Sequence, residues 1–169
     1  MSKLSQAIAE GDGISFVVEV ADAPSARAAE SQGADALAAL ANANAVRVSS
    51  ALPLLHLGRM FDAQGSAAEA VVIKPDLAMW DEAHAFSLEC VVRVSQSSEI
   101  ERSLHYFDPE VFLLSVPDDA DDDPLTVLLE LLHDATPEDV SELERSGVDA
   151  VLVSPGSLAT LIQAGPPDV

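Results

Sequence analysis

Short apolar runs rich in β-branched residues alternate with amphipathic stretches along the chain, and that alternation predicts a repeating strand-and-helix protein. The runs with strand character are 14–20, 34–40, 45–49, 70–74, 88–94, 111–116, 127–133 and 149–153. Between them the spacing predicts helices over 25–32, 52–64, 76–85, 97–106, 137–146 and 157–163. The connection 117–125 has room only for a loop or one short turn. Strands that read as continuous apolar runs are buried on both faces, which means a parallel sheet wrapped by helices.

The segment 136–158 carries the clearest local signals. Thr136 can cap a helix, Pro137 suits its first position, Glu138 and Asp139 suit the positive end of its dipole, and Gly147 stops it before an apolar strand. Eight strands admit a closed (β/α)8 barrel or an open doubly wound sheet. No glycine-rich dinucleotide turn follows Val20 and no phosphate-binding P-loop is present, so the barrel is preferred. At 169 residues it falls below the roughly 200 usual for this architecture. The expectation is therefore a compact barrel with short loops and some helices shortened or missing. Residues 1–169 read as one domain, with 1–12 a lead-in and 164–169 a tail. Without a long strand-to-helix loop to act as a lid, the active site would be shallow and wet.

Composition narrows the functions. The chain is 49% hydrophobic with a mean hydropathy of +0.22, enough for a sizeable core. No apolar run approaches the roughly 20 residues that span a bilayer, and the first residues lack a secretory h-region, so the expected location is the cytoplasm. A net charge of −21 disfavours nucleic acid and anionic membranes as partners. The 29 acidic residues, set against only two lysines, Lys3 and Lys74, suit a hydrated surface working in high salt. The run 118–123 is acidic but lacks the glycine and terminal glutamate of a calcium loop, so it reads as a solvated loop. His56, His84, His105 and His133 show no metal-ligand spacing, and no metal or cofactor is expected. Cys90 is alone in an apolar strand and reads as an inert core thiol.

Four pieces in order resemble indole-3-glycerol phosphate synthase, a phosphate-binding (β/α)8 lyase of tryptophan biosynthesis. They are Phe16-Val17-Val18-Glu19-Val20 with Pro24-Ser25, then Gly33-Ala34-Asp35-Ala36-Leu37, then Leu88 to Val94 with Ser98-Glu99-Ile100-Glu101, and finally Thr136 to Leu158. The resemblance places the first-strand glutamate at Glu19 and the catalytic lysine two residues on at Ala21. It places the second lysine near Ser49, the fifth-strand glutamate at Arg93, the sixth-strand asparagine near Ser115 and the seventh-strand glutamate near Leu132. Only Glu19 of that set is kept, which argues against efficient synthase activity, because each positioned acid or base typically supplies about 10² to 10⁴-fold. The turn after the eighth strand is the family's phosphate site, and here it holds Ser154, Gly156 and Ser157. Its other reading is a plain strand-to-helix connection with Ser157 as the cap.

The placement of cations inside apolar runs adds candidates. In a barrel Glu19, Arg47 and Arg93 share the parity that points inward, with Lys74 on the rim. They could form an anion site in which Arg93 and Lys74 hold a phosphate, or an internal ion network in which Glu19 neutralises Arg47 or Arg93. His133, beside Asp134, is a candidate general base and otherwise an exposed histidine. Trp80, Phe86, Tyr106, Phe107 and Phe112 read as packing residues. The reading that emerges is a minimal barrel binding a small phosphorylated ligand, or alternatively a non-catalytic binding or assembly module. Oligomeric state is left open.

Overall fold

The protein is described by a computed structural model covering residues 3–11, 13–114, 126–130 and 136–162. Eight parallel strands close on themselves: β1 (Ser15–Glu19), β2 (Ala36–Ala39), β3 (Leu54–His56), β4 (Ala70–Ile73), β5 (Glu89–Val94), β6 (Val111–Leu114), β7 (Thr126–Glu130) and β8 (Ala150–Val153). Closure is made by β1 against β8, with Val17 opposite Leu152. The helices are α1 (Lys3–Ala9), α2 (Ala23–Ser31), α3 (Ala43–Ser49), α4 (Met60–Gln64), α5 (Leu77–Ala85), α6 (Ser97–Tyr106), α7 (Pro137–Arg145) and α8 (Pro155–Ile162). This is the compact (β/α)8 barrel expected, with α4 reduced to five residues. The open doubly wound alternative is excluded by the closed ring.

Alternation along each strand divides the core in two. Val17, Ala36, Ala38, Leu55, Ala70, Val91, Val111, Leu113, Leu128, Ala150 and Leu152 fill the barrel interior. Val18, Leu37, Val71, Val92, Phe112 and Val151 face the helices. Inside, alanines on β2, β4 and β8 stand opposite larger side chains: Ala36 faces Val17, Ala70 faces Leu55, and Ala150 faces Leu128. Large against small suits a narrow barrel, which accounts for the alanines at the two inward positions of β2, Ala36 and Ala38.

Two sequence expectations change. The run 45–49 is not a strand but lies in α3, and the third strand is Leu54–His56, inside the stretch expected to be helical. Val46 and Val48 suggested a period of two. In the fold Val46 is buried and Val48 is 90% exposed, because Ala43 and Val46, three residues apart, form the single apolar stripe of a short helix. Pro53 stands just before β3, where a missing amide is tolerated. The expected lead-in also contains α1, whose Leu4 and Ile8 are buried and join the interior cluster. This helix closes the end of the barrel where the strands begin. Burying each of those side chains is worth about 1.5–3 kcal/mol. The expected tail 164–169, the loop 118–123 and the end of the seventh apolar run lie outside the described residues.

At the same end, a carboxylate precedes every even-numbered strand: Asp35, Glu69, Glu110 and Asp149. Three of them grip the amide of a residue at the start of the preceding strand. Phe16 N donates to Asp35 at 2.8 Å, Leu54 N to Glu69 at 3.0 Å, and Val127 N to Asp149 at 2.7 Å. In each case the acidic residue's own amide returns a bond to the same partner's carbonyl, at 3.0, 3.0 and 3.1 Å. Ser5 Oγ of α1 donates to Glu110 at 2.5 Å. Arg47 belongs to this end too. Its guanidinium pairs with Glu69 and donates to Leu52 O at 2.9 Å and Ala67 O at 3.3 Å, while Lys3 reaches Glu69 at 3.2 Å. The place expected for Arg47 in an internal network with Glu19 and Arg93 is therefore corrected. Arg47 sits on a helix, its side chain bound at the opposite end of the barrel from Glu19, because the strand that would have turned it inward is not there.

Candidate functional site

The C-terminal ends of the strands form the other mouth. Parity carries Glu19, Lys74, Arg93 and Ser154 there, since Val17, Val72, Val91 and Leu152 two residues earlier all belong to the interior layer or pack against it. Glu19 and Lys74 are exposed, whereas Arg93 is half-buried and already engaged in a polar or electrostatic interaction. Among the described residues Glu19 has no ion-pair partner. β1 and β5 lie on opposite sides of the ring, so Glu19 and Arg93 stand on facing walls.

A cleft of about 510 Å³ opens above β1, β2 and β8, lined chiefly by Glu19, Asp22, Ser25, Leu40, Asn42 and Ser154. It thus brings together two of the expected residues, Glu19 and Ser154. Lys74 and Arg93 are not in its lining, and His133 lies outside the described residues, as do Ser115 and Leu132. Ala21, which the resemblance aligns with a lysine, is in the cleft wall. Ser49 is on α3 and not at the mouth; the interior position following β3 is Leu57.

Ser154 follows β8 and leads directly into α8, which begins at Pro155, two residues earlier than expected. Ser154, rather than Ser157, therefore stands immediately before the helix. Ser154 Oγ and Ser157 Oγ are 2.9 Å apart, and Ser157 N donates to Ser154 O at 3.1 Å. Pro155 contributes no amide. Gly156 is exposed, and a side chain there would meet no neighbouring atom within 4 Å, so the turn is open to an anion. Backbone N–H groups and the dipole favour negative charge at such a helix start.

The cleft also carries negative charge of its own. Asp22 caps α2 in a reciprocal box with Ser25, whose amide donates to it at 2.8 Å and whose hydroxyl lies 2.7 Å away. Those bonds, the amide's first, hold its carboxyl below the ordinary 3.8, so it stays ionised. Asn42 adopts a left-handed conformation with φ 59° and donates to Ala21 O at 3.3 Å, tying two mouth loops together. The box was legible as Asp22 and Ser25 flanking a proline; Leu40 and Asn42 enter the site only through the placement of a loop. Among the described residues, no group of three or more His, Cys, Asp or Glu side chains is placed to hold a metal. No helix among them is long and apolar enough to cross a membrane.

The fold and the position of this mouth define the class: a (β/α)8 barrel of the kind found in enzymes that act at the C-terminal ends of their strands. Thiamine phosphate pyrophosphorylase from Pyrococcus furiosus superimposes with a TM-score of 0.68 at 14% identity, covering 95% of this chain and 93% of that one. A 2,3-dimethylmalate lyase, a member of the PEP mutase/isocitrate lyase superfamily, gives 0.65 at 16% identity, with 97% and 84% covered. Likenesses at this identity establish the barrel. No protein-family model matches the chain, and no curated protein matches its sequence.

Proposed function

We propose that the mouth binds a small phosphorylated, hydroxyl-bearing ligand, with its phosphate on the turn Ser154 to Ser157 and its organic part over Glu19. The observation that carries this is the joining of Glu19 and Ser154, from adjacent strands, in one cleft. Serine hydroxyls, the Gly156 amide and the start of α8 supply the phosphate contacts, with Lys74 and Arg93 across the mouth as electrostatic support. Because Glu19 and the ionised Asp22 repel an anion, binding is weak. A dissociation constant near 1 mM corresponds to about −4 kcal/mol.

Within this reading the chain keeps the scaffold and phosphate turn of indole-3-glycerol phosphate synthase and has lost its reaction. Ala21 and Leu57 stand where its two lysines belong, and neither side chain can deliver a proton. Any residual chemistry is that of a phosphosugar lyase or isomerase, with Glu19 as acid or base. A second reading, a non-catalytic binding or assembly module, draws on Leu40, 61% exposed at the rim of the same cleft.

The test is thermal unfolding and indole-type fluorescence followed together during titration with the ring-opened anilino-deoxyribulose phosphate. Stabilisation without fluorescent product is expected. Fluorescent product would restore synthase activity to the chain. Absence of stabilisation at millimolar concentration would refute the phosphate site and leave the non-catalytic module.

A further inference from the structure

The register of the closing ladder sets a carboxylate beside the phosphate turn. Val18 of β1 pairs with Val153 of β8, so the next step of the same ladder brings Glu19 level with Ser154. Neighbouring strands are about 4.8 Å apart. Both residues follow an interior position by two, Val17 and Leu152, so both side chains point to the mouth, and both line the same cleft. A phosphate seated on the Ser154 turn therefore lies against Glu19.

Nothing in the cleft wall offsets that repulsion. Among the described residues lining it there is no lysine, arginine or histidine, and Glu19 has no ion-pair partner. Asp22 adds a second carboxylate to the same wall. Both of its bonds from Ser25 fall on Oδ1, which leaves Oδ2 without a protein partner among the described residues. Lys74 and Arg93 follow β4 and end β5, outside the lining, and Arg93 is already engaged. The cation that this wall lacks must come with the ligand.

We infer that the ligand is a phosphorylated amino alcohol, its phosphate on the Ser154 turn and its ammonium on Glu19, with Asp22 as a second acceptor. The inference rests on the phosphate reading above and adds the charge of the organic part. An ammonium has three donors and no acceptor, which matches two carboxylates. A two-carbon link between the phosphate oxygen and the nitrogen spans about one strand spacing, the separation of Ser154 from Glu19.

The test is backbone-amide NMR of the full chain, titrated in EDTA with O-phosphoethanolamine and with 2-hydroxyethyl phosphate, which differ only in ammonium against hydroxyl. Saturable shifts of the Gly156 amide are expected with both probes, with phosphoethanolamine bound about fivefold more tightly, the size of one exposed ion pair. Glu19→Gln is expected to weaken phosphoethanolamine and tighten 2-hydroxyethyl phosphate, so that the two converge; a merely structural role for Glu19 would move both the same way. Equal affinity of the two probes for the parent, or a preference unchanged in Glu19→Gln, would overturn the inference and leave the phosphate reading standing. Ethanolamine binding as tightly as phosphoethanolamine would overturn it as well. A Gly156 amide that moves with neither probe would refute the phosphate reading and this inference together.

Discussion

Replacing Glu69 with alanine removes three interactions at once from the thinnest ladder of the ring. β3 and β4 share only the register pairs Leu55 with Ala70 and His56 with Val71. Glu69 holds Leu54 N, pairs with Arg47 and is reached by Lys3. The lost amide bond to a charged acceptor is worth about 1.5–3 kcal/mol. The Arg47 pair is about three-quarters buried on both sides, at 24% and 23% exposure, so it contributes less than the 3–5 kcal/mol typical of a fully buried pair. Arg47 also keeps its carbonyl contacts, which softens the loss. The exposed Lys3 contact adds at most about 1 kcal/mol. We expect Glu69→Ala to destabilise the barrel by about 2–4 kcal/mol in urea unfolding followed by circular dichroism. In a chain of this size that is a fall in Tm of roughly 4–16 °C. Glu69→Gln keeps an acceptor for Leu54 N and loses the ion pairs, so it is expected near half that effect. A change below about 0.5 kcal/mol for the alanine variant, the size of an ordinary surface substitution, would refute the clamp as a stabilising device.

Leu4→Ala, which empties a fully buried position where α1 seals the barrel, is expected to lose about 2–5 kcal/mol in the same unfolding assay. The carboxyls of Asp22 and Asp139 lie below the ordinary 3.8 because of hydrogen bonds, Asp22 mainly from the Ser25 amide and Asp139 mainly from the Thr136 hydroxyl. Their stabilisation is present above 3.8 and lost as pH falls through the lower folded value. Asp35 runs the other way: burial first, opposed by the Phe16 amide, raises its carboxyl, so its contribution is full below 3.8 and lost as pH rises through the folded value. Urea midpoints measured from about pH 6 to about pH 2 should show a smaller acid loss in Asp139→Asn than in the parent. Burial, with the charge of Glu89 second, pushes the Cys90 thiol up to about 12, so it is expected to resist a thiol reagent near about pH 8 until the chain unfolds; rapid labelling of the native protein would contradict that.

Most of the barrel was legible because its strands are buried on both faces and read as unbroken apolar runs. The third strand was not. Three residues after a proline carry no usable period, while Val46-Arg47-Val48 next door imitates one. Helix α1 was missed because its two inward residues acquire meaning only when there is a barrel end to close. At the site, strand parity made Glu19 and Arg93 readable, while Ser154 was suggested by the resemblance to a phosphate-binding turn. Asp22 could have been found from its capping pattern. Leu40 and Asn42 depend on where a loop comes to rest, which no local pattern encodes.

The carboxylates ahead of the even strands have a consequence for how the ring assembles. Each gripped amide belongs to the strand immediately before in sequence, so β1 is tied to β2, β3 to β4 and β7 to β8 within a few dozen residues. Among the described residues no such grip joins β2 to β3 or β4 to β5. Register can therefore be set inside short segments before the ring is closed, when the entropy lost to each pairing is smallest. The seams between these pairs are then the places where native-state hydrogen exchange should find the first cooperative openings.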